Sequence, residues 1–81
     1  MPRVSGKEDN DQLLARFGAA VRVRRKALNM SQESLADLAG IDRSHMGRIE
    51  RGERNVTFLN MARIASAMSV TSSELLASAG L

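Results

Sequence analysis

Arg43, Ser44, His45 and Arg48 place two guanidinium forks, a hydroxyl and an imidazole within six consecutive residues. An arginine fork donates two parallel hydrogen bonds, a pattern that fits guanine O6 and N7 or the edge of a phosphate. Asp42, Ser44 and His45 do not make a catalytic triad, because near-consecutive side chains on a helix diverge and cannot form the required relay. His45 is the sole histidine and the chain has no cysteine, so one copy can build neither a metal site nor a disulfide framework. The chemistry these residues suit is recognition through charge and hydrogen bonding.

The elements that must position them lie in the string QESLADLAGIDRSHMGRI, residues 32–49. Leu35, Ala36 and Ala39 share one face of a first short helix, and Ile41, Met46 and Ile49 continue the apolar set across a turn and along a second helix. Ala36 is small where two crossing helices approach closely. Gly40 stands where the chain must leave the first helix with a positive φ, which is costly for a residue with a Cβ. Asp42 caps the second helix and its charge suits the dipole there. This is a helix-turn-helix layout, which places its second helix in the DNA major groove.

The charge agrees. The net +3 is not spread evenly: residues 1–21 carry three positive and three negative side chains, and residues 55–81 carry Arg63 against Glu74. The excess lies between Arg22 and Arg54, where eight basic residues meet five acidic ones. A basic segment coinciding with a helix-turn-helix points to nucleic acid rather than to a solvated surface. With no Trp or Tyr and only two Phe, stacking on single-stranded bases is a poor fit, and double-stranded DNA is the better one. No apolar run approaches the ~20 residues of a membrane span and no signal-peptide core follows the start, so a cytoplasmic protein without a membrane partner is expected.

The 81 residues, 43% of them hydrophobic, suffice for one modest core and not for a deep catalytic cleft. The expected fold is all-α with five helices. Residues 1–10 are expected to form a disordered tail, and 11–81 a single domain. Asp11 is expected to cap a first helix reaching Asn29, with Leu14, Phe17, Val21 and Leu28 along one stripe. Ser31 caps the second, the third runs from Asp42 to about Arg51 and stops at Gly52, Thr57 caps the fourth and Thr71 a short fifth. Leu59, Met61, Ile64, Ala65 and Met68 recur at helical spacing in the fourth. Met46, Met61 and Met68 are read as core, and Met30 as a residue of a helix junction.

From about Phe17 to Leu76 the chain resembles the lambda-repressor-like, or XRE-type, DNA-binding domains. The strings that carry the resemblance are VRVRRKALNMSQESLADLAGIDRS, the IERGERN block and ARIASAMSVTSSELL. The combination DRS…GRIERGERNVTFLNMARIA is similar to the small controller proteins of restriction-modification systems. The resemblance assigns base reading to Arg43, Ser44 and Arg48, positions in the first turn of the recognition helix and one turn on. Phosphate contacts fall to Gln32 at the start of the second helix, to His45, and to Arg51, Arg54 and Asn55 in the turn before the fourth. Arg22 and Lys26 are further phosphate candidates, and Glu53 or Glu50 are competing partners for Arg54. Arg25 and Glu50 match an internal ion pair, with Arg24 as the rival partner.

One such domain reads only four or five base pairs, too few for a unique genomic site, so a symmetric dimer is expected. Phe58, Leu59, Val70, Leu75 and Leu76 are surplus to one small core and form the expected dimer surface. The reading is a homodimeric, sequence-specific regulator of transcription of the restriction-modification controller type, binding an inverted-repeat operator. Its partners would be duplex DNA, a second copy and RNA polymerase, with no cofactor, metal or small-molecule ligand and no enzymatic activity. Alternatives are an antitoxin that also binds a toxin, a phage or chromosomal repressor, and a non-DNA adaptor that kept the fold.

Overall fold

The computed structural model describes residues 11–81, so the expected disordered tail lies outside the described residues. Five helices follow one another: α1 Leu13–Ala27, α2 Gln32–Ala39, α3 Arg43–Glu50, α4 Phe58–Ala67 and α5 Ser72–Ser78. No strand occurs among the described residues. α1 packs on α3 and α5, α2 on α3 and α4, and α4 on α5.

The helix starts follow side-chain chemistry. Ser31, Asp42, Thr57 and Thr71 each accept a hydrogen bond from the backbone N–H three residues on. Each thereby satisfies one of the N–H groups that a helix leaves without an internal partner. Thr71 and Glu74 complete a reciprocal capping box, a T-x-x-E signal legible in the sequence but passed over there. α1 is the exception. It starts after Gln12, which has φ 55 and makes no side-chain cap, so Asp11 is not its cap.

The helix ends share one device. Asn29, Gly40, Gly52, Ser69 and Gly80 all have left-handed φ, between 57 and 76. In each case the next residue's N–H reaches back to a carbonyl five residues earlier: Met30 to Arg25, Ile41 to Ala36, Glu53 to Arg48, Val70 to Ala65 and Leu81 to Leu76. These are Schellman closures, which satisfy carbonyls the helix cannot. The residue that follows is usually apolar and folds back on the helix. Met30, Ile41 and Val70 obey; Leu81 is apolar but exposed, and Glu53 is not apolar.

The core is made of Phe17, Val21, Leu35, Ala36, Ala39, Ile41, Met46, Ile49, Ile64, Ala65, Met68 and Leu75. Each helix contributes, and Ile41 lies in the turn between α2 and α3. Met30 and Met61 pack against its edge. Two expectations need correction, Leu28 and Leu75. Leu28 follows the end of α1 and stays exposed, because α1 closes before the apolar stripe reaches it. Leu59, whose spacing matches the core set, is 57% exposed on the first turn of α4. Leu75 is 2% exposed and belongs to the core, so it cannot supply a docking surface. No helix among the described residues is long and apolar enough to cross a membrane.

Candidate nucleic-acid interface

The site is built on α3, and α3 is held from behind. Met46 and Ile49 are fully buried beneath it, while Asp42 caps its start through the His45 N–H at 3.2 Å. At 100° per residue, Arg43, Gly47, Arg51, Ser44 and Arg48 fall within an arc of roughly 140°. Arg43, Ser44, Arg48 and Arg51 are exposed, and Gly47 is covered. A Cβ at Gly47 would sit 3.1 Å from Arg51 Nη1 and 3.2 Å from Gln32 Oε1, so these two side chains converge over the glycine. A methyl group at Gly47 would push on the ends of both side chains, a tight but flexible contact that its sequence position does not reveal.

An open cleft of about 510 Å³ lies in front of this face, lined by Gln32, Asp42, Arg43, Ser44, Gly47 and Arg51. It brings the α2 start, the first turn of α3 and the α3 end to one place. His45, half-buried, and Arg48, Arg54 and Asn55, all exposed, are not part of its lining. Arg22 and Lys26 are exposed on α1.

Behind the cleft, Glu50 ties three helices together. Its Oε2 accepts from Arg25 Nε at 2.8 Å and its Oε1 from Arg25 Nη2 at 3.1 Å. Gln32 Nε2 donates to Oε1 at 3.2 Å, and Arg25 Nη1 donates to the Met30 carbonyl at 2.9 Å. The two charged side chains are 10% and 3% exposed, so the pair is buried and hydrogen-bonded along both edges. Arg24, the rival partner, instead donates to the Met68 carbonyl at 3.2 Å, bracing α1 against the end of α4. Gln32 thus donates one N–H to Glu50 while its Oε1 lies over Gly47 in the cleft.

Two glycines set how closely α1 meets the unit. A Cβ at Gly18 would collide with the carbonyl oxygens of Ile49 and Glu50, so α1 lies directly against the end of α3. Gly52, at φ 73, needs both its conformation and its space, since a Cβ there would lie 2.7 Å from the Ala15 Cα. Neither contact could be found from spacing alone.

At the far end of α3 the Glu53 carboxylate accepts from Arg51 Nε at 2.9 Å and from Arg51 Nη2 at 3.3 Å. That hydrogen bonding, helped by the charges of Arg51, Arg48 and Arg54, holds the Glu53 carboxyl below the usual carboxylate range. The same bond raises Arg51 above its ordinary value. Glu53 is therefore paired with Arg51 rather than with Arg54.

Comparison with known proteins gives one consistent family. A family model described as helix-turn-helix matches residues 21–75. Control protein C.SmaI of Serratia marcescens is 41% identical over 61 residues, covering 75% of this chain and 73% of that protein. Control protein C.BamHI of Bacillus amyloliquefaciens is 43% identical over 61 residues, covering 74% and 75%. The crystal structure of the restriction-modification controller protein C.AhdI from Aeromonas hydrophila superposes with a TM-score of 0.75 at 45% identity, covering 76% of this chain and 94% of that one.

Proposed function

The chain belongs to the XRE-type helix-turn-helix family, with restriction-modification control proteins among its relatives, and from that premise we propose that it is itself a controller of this kind. It would act in the cytoplasm as a homodimer on an inverted-repeat operator and influence RNA polymerase by where it sits, with residues 11–81 as one DNA-binding unit and no enzymatic step. The observation that carries the reading is the face of α3, where Arg43, Ser44, Arg48 and Arg51 share one arc while Met46 and Ile49 anchor the opposite side.

In this reading Arg43, Ser44 and Arg48 read base edges. Gln32 at the α2 start, His45, Arg51, Arg54 and Asn55 meet phosphates. The test is binding of the duplex upstream of its own gene, compared with random duplex, as salt is varied. Arg43→Ala and Arg48→Ala are expected to lose ~1–3 kcal/mol each at particular base pairs while most affinity for random DNA remains. Equal losses on both duplexes would defeat the assignment of base reading. Affinity indifferent to salt would defeat DNA binding through this basic segment, because each neutralised phosphate adds about −0.9 to the logarithmic salt slope.

A further inference from the structure

Glu53 stands out twice. It is the one residue after a Schellman closure that is not apolar, and it is a carboxylate on the surface assigned above to DNA phosphates. Instead of folding onto the core it takes both the Nε and Nη2 hydrogens of Arg51. That edge is one of the two forks an arginine can offer to a phosphate, the other being Nη1 with Nη2. The remaining nitrogen, Nη1, is the one over Gly47 in the cleft. The pair does little for the fold, since its side chains are 57% and 53% exposed and exposed pairs add little stability.

Resting on the DNA-binding reading above, we propose that Glu53 is an internal competitor of the DNA backbone: its carboxylate fills the Nε/Nη2 fork of Arg51 in the unbound protein, and a phosphate that takes this fork must displace it. The exchange lets Arg51 be aligned beside the cleft before DNA arrives while limiting how strongly phosphates alone can hold the protein. Base contacts from Arg43 and Arg48 then supply a larger share of the affinity for an operator. The fork is only one hydrogen-bonding edge, so carboxylate and phosphate cannot both occupy it.

A double-mutant cycle tests the exchange, using a random duplex of about two helical turns (~21 base pairs) and circular dichroism to verify folding. Wild type, Glu53→Gln, Arg51→Gln and the double variant are titrated at several salt concentrations. Glu53→Gln is expected to bind about two- to fivefold more tightly per subunit, because Arg51 then meets a phosphate without first losing a carboxylate. In the Arg51→Gln background the same change is expected to have little effect. An equal gain in both backgrounds would show that Glu53 acts only through its general charge and would overturn the competition. No gain in either background would overturn it as well. Wild type that ignores both duplex and salt would instead defeat the DNA-binding reading itself.

Discussion

Glu50 is the residue through which the recognition helix is tied to the rest of the protein. Its carboxylate is buried and takes hydrogen bonds from Arg25 and Gln32, so α1 and α2 are both fastened to the end of α3. A buried pair of this kind adds little net stability relative to an apolar replacement, because desolvation offsets the attraction. Breaking it from one side is different, since the partner is left charged and unpaired. Arg25→Ala is therefore expected to cost ~3–5 kcal/mol, read as a lower denaturant midpoint at unchanged slope. Arg25→Met with Glu50→Leu is expected to recover much of that loss while binding duplex DNA less well, because Gln32 then has no anchor. A single variant as stable as the parent would show that the pair is already solvated.

The helices are specified mainly at their ends, and the ends can be tuned separately. Four N-caps and five left-handed closures surround helices of only 7 to 15 residues, lengths at which isolated helices are marginal. Ser69 is the closure with the poorest residue for its conformation. Left-handed geometry costs a residue with a Cβ ~1–2 kcal/mol, of which glycine's extra chain entropy offsets ~0.5–1. Ser69→Gly is expected to stabilise by roughly 0.5–1 kcal/mol, measured as a raised Tm; a lowered Tm would contradict it.

At the start of α5, the Thr71 backbone N–H and side chain hold the Glu74 carboxyl below the usual carboxylate range. Because the folded value is depressed, this contribution is present above the unfolded carboxylate pKa of about 4.3 and is lost as pH falls through the lower folded value. The Tm gap between wild type and Glu74→Gln is expected to be wide at neutral pH and to close in that acidic window. A gap independent of pH would exclude the charged cap.

For the whole molecule, the limiting dimension is the recognition helix. Eight residues of α3 span about 12 Å, or some four base pairs at about 3.4 Å each. In the dimer proposed above, a second copy would supply the other half-site, about 34 Å away on the same face of the duplex. Phe58 and Leu59 are 78% and 57% exposed at the start of α4, and Val70 and Leu76 are half-buried at the edge of the core. This apolar surface is the proposed dimer contact, without Leu75. Phe58→Asp is expected to leave the helical content intact, shift sedimentation to the monomer and weaken operator binding steeply. A folded variant that stays dimeric would move the interface elsewhere, and a monomer that binds like the parent would end the two-fold scheme.

The local decisions were legible without coordinates. Ser31, Gly40, Asp42, Thr57 and Thr71 act on backbone groups within a few residues of themselves, so their meaning is carried by adjacent sequence. The periodicity of Leu35, Ala36, Ala39, Met46 and Ile49 likewise marks the inner faces of α2 and α3, because helical geometry alone decides which residues align. What depends on partners distant in the chain was not legible. Leu75 lies inward and Leu59 outward through where α5 and the first turn of α4 dock on the molecule, which their own spacing does not encode. Gly18 is required by two carbonyls of α3, and Gly52 by the backbone of α1. The Arg25–Glu50 pair is the exception, expected from the family resemblance and present; that Gln32 joins it, and that Glu53 takes Arg51 rather than Arg54, was settled by which side chains come within hydrogen-bond reach. The sequence by itself determined the helices, their boundaries within a residue or two, the basic face of α3 and the Arg25–Glu50 pair. Only tertiary packing decided that Gln32 joins that pair, which apolar residues are left outside, and how the cleft before α3 is shaped.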